Sequence, residues 1–232
     1  MRNIMTFNGI NNKTMGVYVT QRPPMITPEE RGEAVTVPGR DGTLWISEHA
    51  LEEITITVEI WVSPDADISA VRKWLSGSGE LSFGKSPEWC YRARIKAGVT
   101  YAPLNFEAGY NAAIPFICQP YRYKLPAETQ TITRSPAVLT NPCNAAARPI
   151  ITVYGTGNIT LAIGGADGYA VSLTGISGSI TIDSQMLEAY QGTTLLNNKM
   201  EGEFPMLMVG DNGIAWTGNV SKIEVRPNWR WV

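Results

Sequence analysis

The chain has 232 residues, 44% of them hydrophobic and 17% charged, with 19 Lys and Arg against 21 Asp and Glu for a formal net charge of −2. That length and apolar fraction sustain one large or two ordinary folded domains and exclude a disordered chain. Without a basic run, the surface is not built to neutralise many phosphates, so sequence-specific nucleic-acid binding is not expected. No eighteen-residue apolar stretch exists to span a membrane, and Met1-Arg2-Asn3-Ile4-Met5 has no apolar signal core, so synthesis in the cytoplasm is expected.

Along the chain, residues 35–62 come first as a readable block. Val37-Pro38-Gly39-Arg40-Asp41-Gly42-Thr43-Leu44 sets Pro, Gly and Asp-Gly between apolar runs, which is hairpin-turn chemistry. In Ile54–Val62 the residues Ile54, Ile56, Val58, Ile60 and Val62 share one face, because successive side chains of a strand point to opposite sides. That face predicts core. The other, with Thr55, Thr57, Glu59 and Trp61, predicts a surface that covers a neighbouring element or meets another subunit. Ser63-Pro64-Asp65-Ala66-Asp67 then supplies a cap and an initiating proline, Ile68, Val71 and Leu75 follow at helical spacing, and Gly77-Ser78-Gly79 end the helix. Further strands are predicted over 80–83, 91–99 and 105–118.

Four prolines between 126 and 149, among small and polar residues, mark a boundary placed near residue 130. Beyond it, 150–153, 159–163, 170–173, 179–182, 206–209, 213–216 and 220–225 read as short strands at the intervals of a β-sandwich, with room for one helical turn over 186–191. The predicted class is mainly β: a sandwich-like domain with one helix over 1–130, for which 227–232 is a candidate completing segment, then a β-sandwich over 131–226.

Few residues offer chemistry. His49 is the only histidine, and no GxSxG elbow or family-like cysteine motif accompanies it. Cys90, Cys118 and Cys143 are odd in number and widely spaced, which predicts reduced, buried thiols rather than disulfides or a metal site. No HxxxH or CxxC pattern occurs, so no metal, cofactor or catalytic residue is assigned. A glycosidase built from two carboxylates has no positive signal. Gly164-Gly165-Ala166-Asp167-Gly168 reads as a turn between strands, and Gly155-Thr156-Gly157 precedes a strand rather than a phosphate-cradling helix. Trp45, Trp61, Trp74 and Trp89 are expected in core or interface. Trp229 and Trp231, either side of Arg230, alternate as on a strand and are expected to dock on the body or on a partner.

Taken in order, these segments resemble the distal tail protein of long-tailed, non-contractile bacteriophages. The resemblance rests on Phe7-Asn8-Gly9, Gly16-Val17-Tyr18-Val19, Pro38-Gly39-Arg40-Asp41-Gly42, the Ile54–Val62 strand, Trp74-Leu75, Tyr91-Arg92-Ala93 and Phe116-Ile117-Cys118-Gln119-Pro120-Tyr121 for the ring-forming belt domain. For a galectin-like carboxyl domain it rests on Pro149-Ile150-Ile151-Thr152-Val153, Ile180-Thr181-Ile182-Asp183, Gly202-Glu203-Phe204-Pro205, Gly210-Asp211-Asn212 and Arg226-Pro227-Asn228-Trp229-Arg230. It implies a hexameric ring in the virion, at the tail tip. The ring would join the tail-tube protein to tail-tip or tail-associated hub proteins around a channel for DNA, with no enzymatic activity. Glu203 stands where the family would have Asp. The long inserted arm by which some relatives hold a receptor-binding protein is missing, which leaves that partner open. The expected subunit or partner contacts are Arg40, Asp41, Glu59, Trp61, Trp229 and Trp231. A carbohydrate-binding module or virion adhesin is the alternative, since a galectin-like fold does not by itself imply sugar binding.

Overall fold

Residues 3–96, 98–105, 108–164 and 168–232 are described by the structure, a computed structural model. Contacts divide the chain into two compact units, Met1–Arg122 with Val232, and Tyr123–Trp231.

The first unit is organised around the alternating strand. Ile54–Val62 buries every second residue, with Ile56, Val58, Ile60 and Val62 at most 1% exposed, and it pairs antiparallel with Tyr110–Lys124 over nine consecutive positions from Ile54↔Cys118 to Val62↔Tyr110. The sheet runs in the order Ile10–Asn11, Met5–Phe7, Ser78–Phe83, Trp89–Ile95, Tyr110–Lys124, Ile54–Val62, Val17–Val19. A bridge between Asn3 and Val19 brings its two ends together, so the sheet curls almost into a barrel. Buried Asn12 ties this closure: its Oδ1 accepts from the Met5 N–H at 3.0 Å and its Nδ2 donates to the Val17 carbonyl at 2.9 Å. Such a pairing satisfies both ends of an amide that is costly to bury alone.

One helix covers the sheet, over Ile68–Trp74. It begins later than the proline suggests, because the cap is Asp67, whose carboxylate accepts from the Ser69 and Ala70 N–H groups. Val71 and Trp74 face inward, and the Trp74 indole donates to the Phe7 carbonyl at 3.0 Å. Beneath lies an edge-to-face pair, Phe7 and Phe116, with ring centroids 5.3 Å apart and neither ring exposed.

The second unit departs from the expected run of short strands. Three long strands, Ile150–Ile163, Tyr169–Asp183 and Gly210–Arg226, replace the six short ones predicted over the same residues. Glycines within these long strands sit at bulges, where the register shifts around Gly155, Gly157 and Gly218. Glycine is required there: a Cβ on Gly155 would lie 2.3 Å from the Asn219 carbonyl oxygen, and one on Gly218 would lie 2.4 Å from that of Asn158. The sheet order is Gln130–Ile132, Gly210–Arg226, Ile150–Ile163, Tyr169–Asp183, Glu188–Gln191, Thr194–Leu195. Residues 188–191 are thus a strand where a helical turn was allowed for, and 206–209 contribute only an isolated bridge, Ala147↔Leu207. The putting of 164–168 in a turn falls partly outside the described residues, since 165–167 are not among them.

All three cysteines are buried and unpaired. Burial pushes the Cys90 and Cys118 thiols up to about 12 and raises that of Cys143, so each is a neutral thiol at physiological pH. A disulfide-forming reagent such as Ellman's is therefore expected to leave all three thiols unmodified in the native protein at pH 8 and to titrate three after denaturation; rapid native labelling would contradict their burial. Phe116→Ala, which empties the ring stacked on Phe7, is expected to cost about 3–5 kcal/mol in a denaturant titration.

Candidate interaction surface

Residues 30–51 contribute nothing to the interior of the first unit. Glu30–Thr36 and Thr43–Leu51 pair with each other as a separate two-stranded sheet, and no residue of either strand is buried. The sequence of residues 35–62 predicts a hairpin turn followed by a long alternating strand. The structure separates it into a core strand and a free-standing ribbon, because only Ile54–Val62 keeps the strict alternation that a one-sided burial demands.

The ribbon has two built faces. Cross-strand partners lie on the same side, so Val35 opposite Leu44 and Glu33 opposite Ile46 share one face, while Ala34 opposite Trp45 and Gly32 opposite Ser47 share the other. Trp45 and Ile46 are each 52% exposed and Leu44 is 40% exposed. The Trp45 ring lies over Gly32: a Cβ there would meet the ring at 2.7 Å and the Ile46 carbonyl oxygen at 2.5 Å, which explains the glycine. At the tip, the Arg40 N–H donates to the Val37 carbonyl at 3.1 Å across Pro38 and Gly39, the latter at φ +80°, the arrangement of a type II turn. Arg40 and Asp41 are therefore presented at the far end of the ribbon, exposed.

Charge is concentrated at the base. Glu52 accepts two hydrogen bonds from the Arg31 guanidinium, at 2.8 and 3.3 Å, which holds its carboxyl below the usual carboxylate range; Glu53 pairs with Arg94 at 2.8 Å. Between residues 29 and 53 there are seven carboxylates (Glu29, Glu30, Glu33, Asp41, Glu48, Glu52, Glu53) and two cations (Arg31, Arg40), a side-chain charge of −5. The remainder of residues 1–122 has ten cations and six carboxylates, a charge of +4.

His49, at φ +54° beside a bulge, is exposed, and its Nδ1 lies 3.4 Å from the Ser47 hydroxyl, which also contacts the Glu30 carboxylate. The carboxylate meets the serine rather than the imidazole, so nothing orients His49 as a general base toward Ser47. The cluster is a local turn motif: the His49 N–H donates to Ser47 Oγ at 2.9 Å.

The other expected contact residues are dispersed. Glu59 is exposed on the outer face of Ile54–Val62, where its backbone carbonyl accepts from Thr20. Two residues on, Trp61 is half-buried against the Tyr18 ring at 5.3 Å, with its indole donating to the Ala108 carbonyl at 2.8 Å. Trp229 is 8% exposed within the core of the second unit, and Trp231 packs against the same core. The chain end there is fixed by the Lys124 N–H to the Trp229 carbonyl at 2.8 Å, Arg230 Nε to the Ala146 carbonyl at 2.7 Å and Asn228 Nδ2 to the Arg148 carbonyl at 2.9 Å. Among the described residues of the second unit no Trp, Tyr or Phe is exposed; Tyr154, Tyr169, Tyr190, Phe204, Trp216 and Trp231 are partly buried. The Tyr154 ring is covered by the Lys222 ammonium, 4.4 Å from its centroid. No group of three metal-ligating side chains occurs among the described residues, and no described helix is long and apolar enough to cross a membrane.

No family model matches the chain, and no curated protein does. Among solved structures, the chain is similar to the crystal structure of the SPP1 Dit protein, described as a paradigm of the hub adsorption apparatus in phages that infect Gram-positive bacteria. The TM-score is 0.71 at 15% identity, over 97% of this chain and 98% of that one, so the two share a mainly β fold from end to end.

Proposed function

We propose that this chain is a structural subunit of a phage tail tip, one copy of a hexameric ring that joins the tail-tube protein to tail-tip hub proteins and leaves a channel for DNA. The observation that carries this reading is the free-standing ribbon, on a fold shared with a phage hub protein over 97% of the chain. A two-stranded ribbon with Leu44, Trp45 and Ile46 in water gains little stability by itself, and gains it when a second surface covers it. A ribbon from one copy laid on a different surface of the next is a heterologous contact, the kind that closes into rings. Arg40, Asp41, Glu59 and Trp61 are proposed to lie at or near that contact. Trp229 and Trp231 act at most by holding the chain end in place. The location follows from the same reading: the virion tail tip, with neither membrane nor specific nucleic acid as partner. A receptor-binding protein would be held through the hub rather than by an arm of this chain.

The purified chain is expected to form rings in negative-stain images and a species of about six times 25.4 kDa by light scattering, alone or on addition of tail-tube or tip partners. Leu44→Lys with Ile46→Lys is expected to abolish the ring and leave a folded monomer with an unchanged far-ultraviolet circular dichroism spectrum, since the ribbon buries nothing in the core. Monomers under all these conditions would overturn the reading.

A further inference from the structure

The first unit contains a cavity of about 460 Å³ at the end of its sheet, near where the chain leaves Val17–Val19 for the ribbon. Its rim has three cations, Lys13, Arg22 and Lys85, and its wall includes Ile4, Pro23 and Phe83; no carboxylate lines it. All three cations are exposed, and none takes part in a salt bridge among the described residues. Like charges around one concavity repel each other and focus a positive potential outward, so the site is matched to an anionic and partly apolar occupant.

The ribbon has that composition. Glu29, Glu30 and Glu33 lie along its first strand and approach to it, without an Arg or Lys salt-bridge partner among the described residues, next to exposed Leu44 and Ile46. Its own body cannot supply the docking surface through strand pairing, since the two strands pair only with each other. At ~3.3 Å per residue the nine-residue strand reaches about 30 Å from base to tip, the scale of a neighbouring subunit. The opposed charges of −5 on residues 29–53 and +4 on the rest of residues 1–122 place both halves of a complementary contact on every copy.

We infer that the acidic ribbon of one copy seats on the Lys13, Arg22 and Lys85 cavity of the next, an assignment that rests on the ring reading above and names its donor and acceptor surfaces. Electrostatic complementarity of this kind fixes register and steers encounter, and it is screened as the Debye length falls from ~10 Å at 0.1 M salt to ~3 Å at 1 M.

Two charge-reversed proteins test it, Glu29→Lys/Glu30→Lys/Glu33→Lys and Lys13→Glu/Arg22→Glu/Lys85→Glu, each checked for a wild-type melting profile. Each alone is expected to need at least ~10-fold more protein than wild type for half-assembly, because its ribbon and cavity then carry like charges. Mixed in equal amounts they are expected to recover rings near the wild-type concentration, with the two proteins alternating. Recovery in the mixture requires a contact between copies and is not produced by a contact within one chain. If wild type assembles and the cavity variant assembles at the same concentration, or if both folded variants fail to rescue each other, the inference is overturned while the ring stands. Inorganic phosphate bound by the wild-type cavity with assembly untouched would assign the site to a free anion and overturn it equally. A wild-type chain that never assembles overturns the ring reading itself.

Discussion

A β-ribbon of two strands has no interior, and that constraint governs what the first unit is able to do. Each strand of a sheet buries side chains only by laying one face against something else, and a pair of strands has nothing of its own to lay it against. Ile54–Val62 solves the problem within the chain: paired on both sides and covered by the helix, it places five β-branched residues in the core, each worth about 1.5–3 kcal/mol when fully buried. The ribbon just before it leaves the problem unsolved, with its largest apolar side chains half in water. On the ring reading proposed above, a neighbouring copy would supply that cover.

Local chemistry keeps the ribbon shaped while it waits for that surface. The Pro38-Gly39 turn sets the register at the tip, and the Trp45 ring occupies the space that any side chain at position 32 would need. At the base, Arg31 draws two carboxylates together, reaching Glu52 closely and Glu48 at 3.9 Å. Exposed ion pairs of this kind add little stability individually, so their role is to order the base rather than to hold it in place by energy. A preorganised ribbon loses less entropy when it docks, which favours a specific contact over a loose one.

Most of the architecture was legible in the sequence where one physical rule acted alone. The alternation of Ile54–Val62, the helix stripe and the turn at Pro38-Gly39 each follow from a single periodicity or a single backbone requirement. The second unit was harder, because glycine answers two different demands. At Gly155 and Gly218 it admits a neighbouring carbonyl into the space of a missing Cβ, whereas in sequence it looks the same as a glycine that ends a strand. Buried asparagines were invisible for a related reason: Asn12 in one unit and Asn212 in the other each satisfy backbone groups of non-adjacent segments, a role that no local pattern announces. The free ribbon had a signal that went unused. Residues 43–51 lack strict alternation, and acids crowd residues 29–53, both signs of a strand with no core face.

An exposed, paired ribbon is also a hazard, since its outer edges offer unpaired backbone groups to any passing strand. Carboxylates along Glu29, Glu30 and Glu33 answer that hazard. Two ribbons brought edge to edge would set like charges against one another, while a ribbon brought to a basic surface would not. The acids therefore disfavour a symmetric ribbon-to-ribbon pair, which would stop at a dimer; the ring proposed above instead uses a contact between unlike surfaces. Apolar residues alone would have stabilised both arrangements; the charge is what separates them.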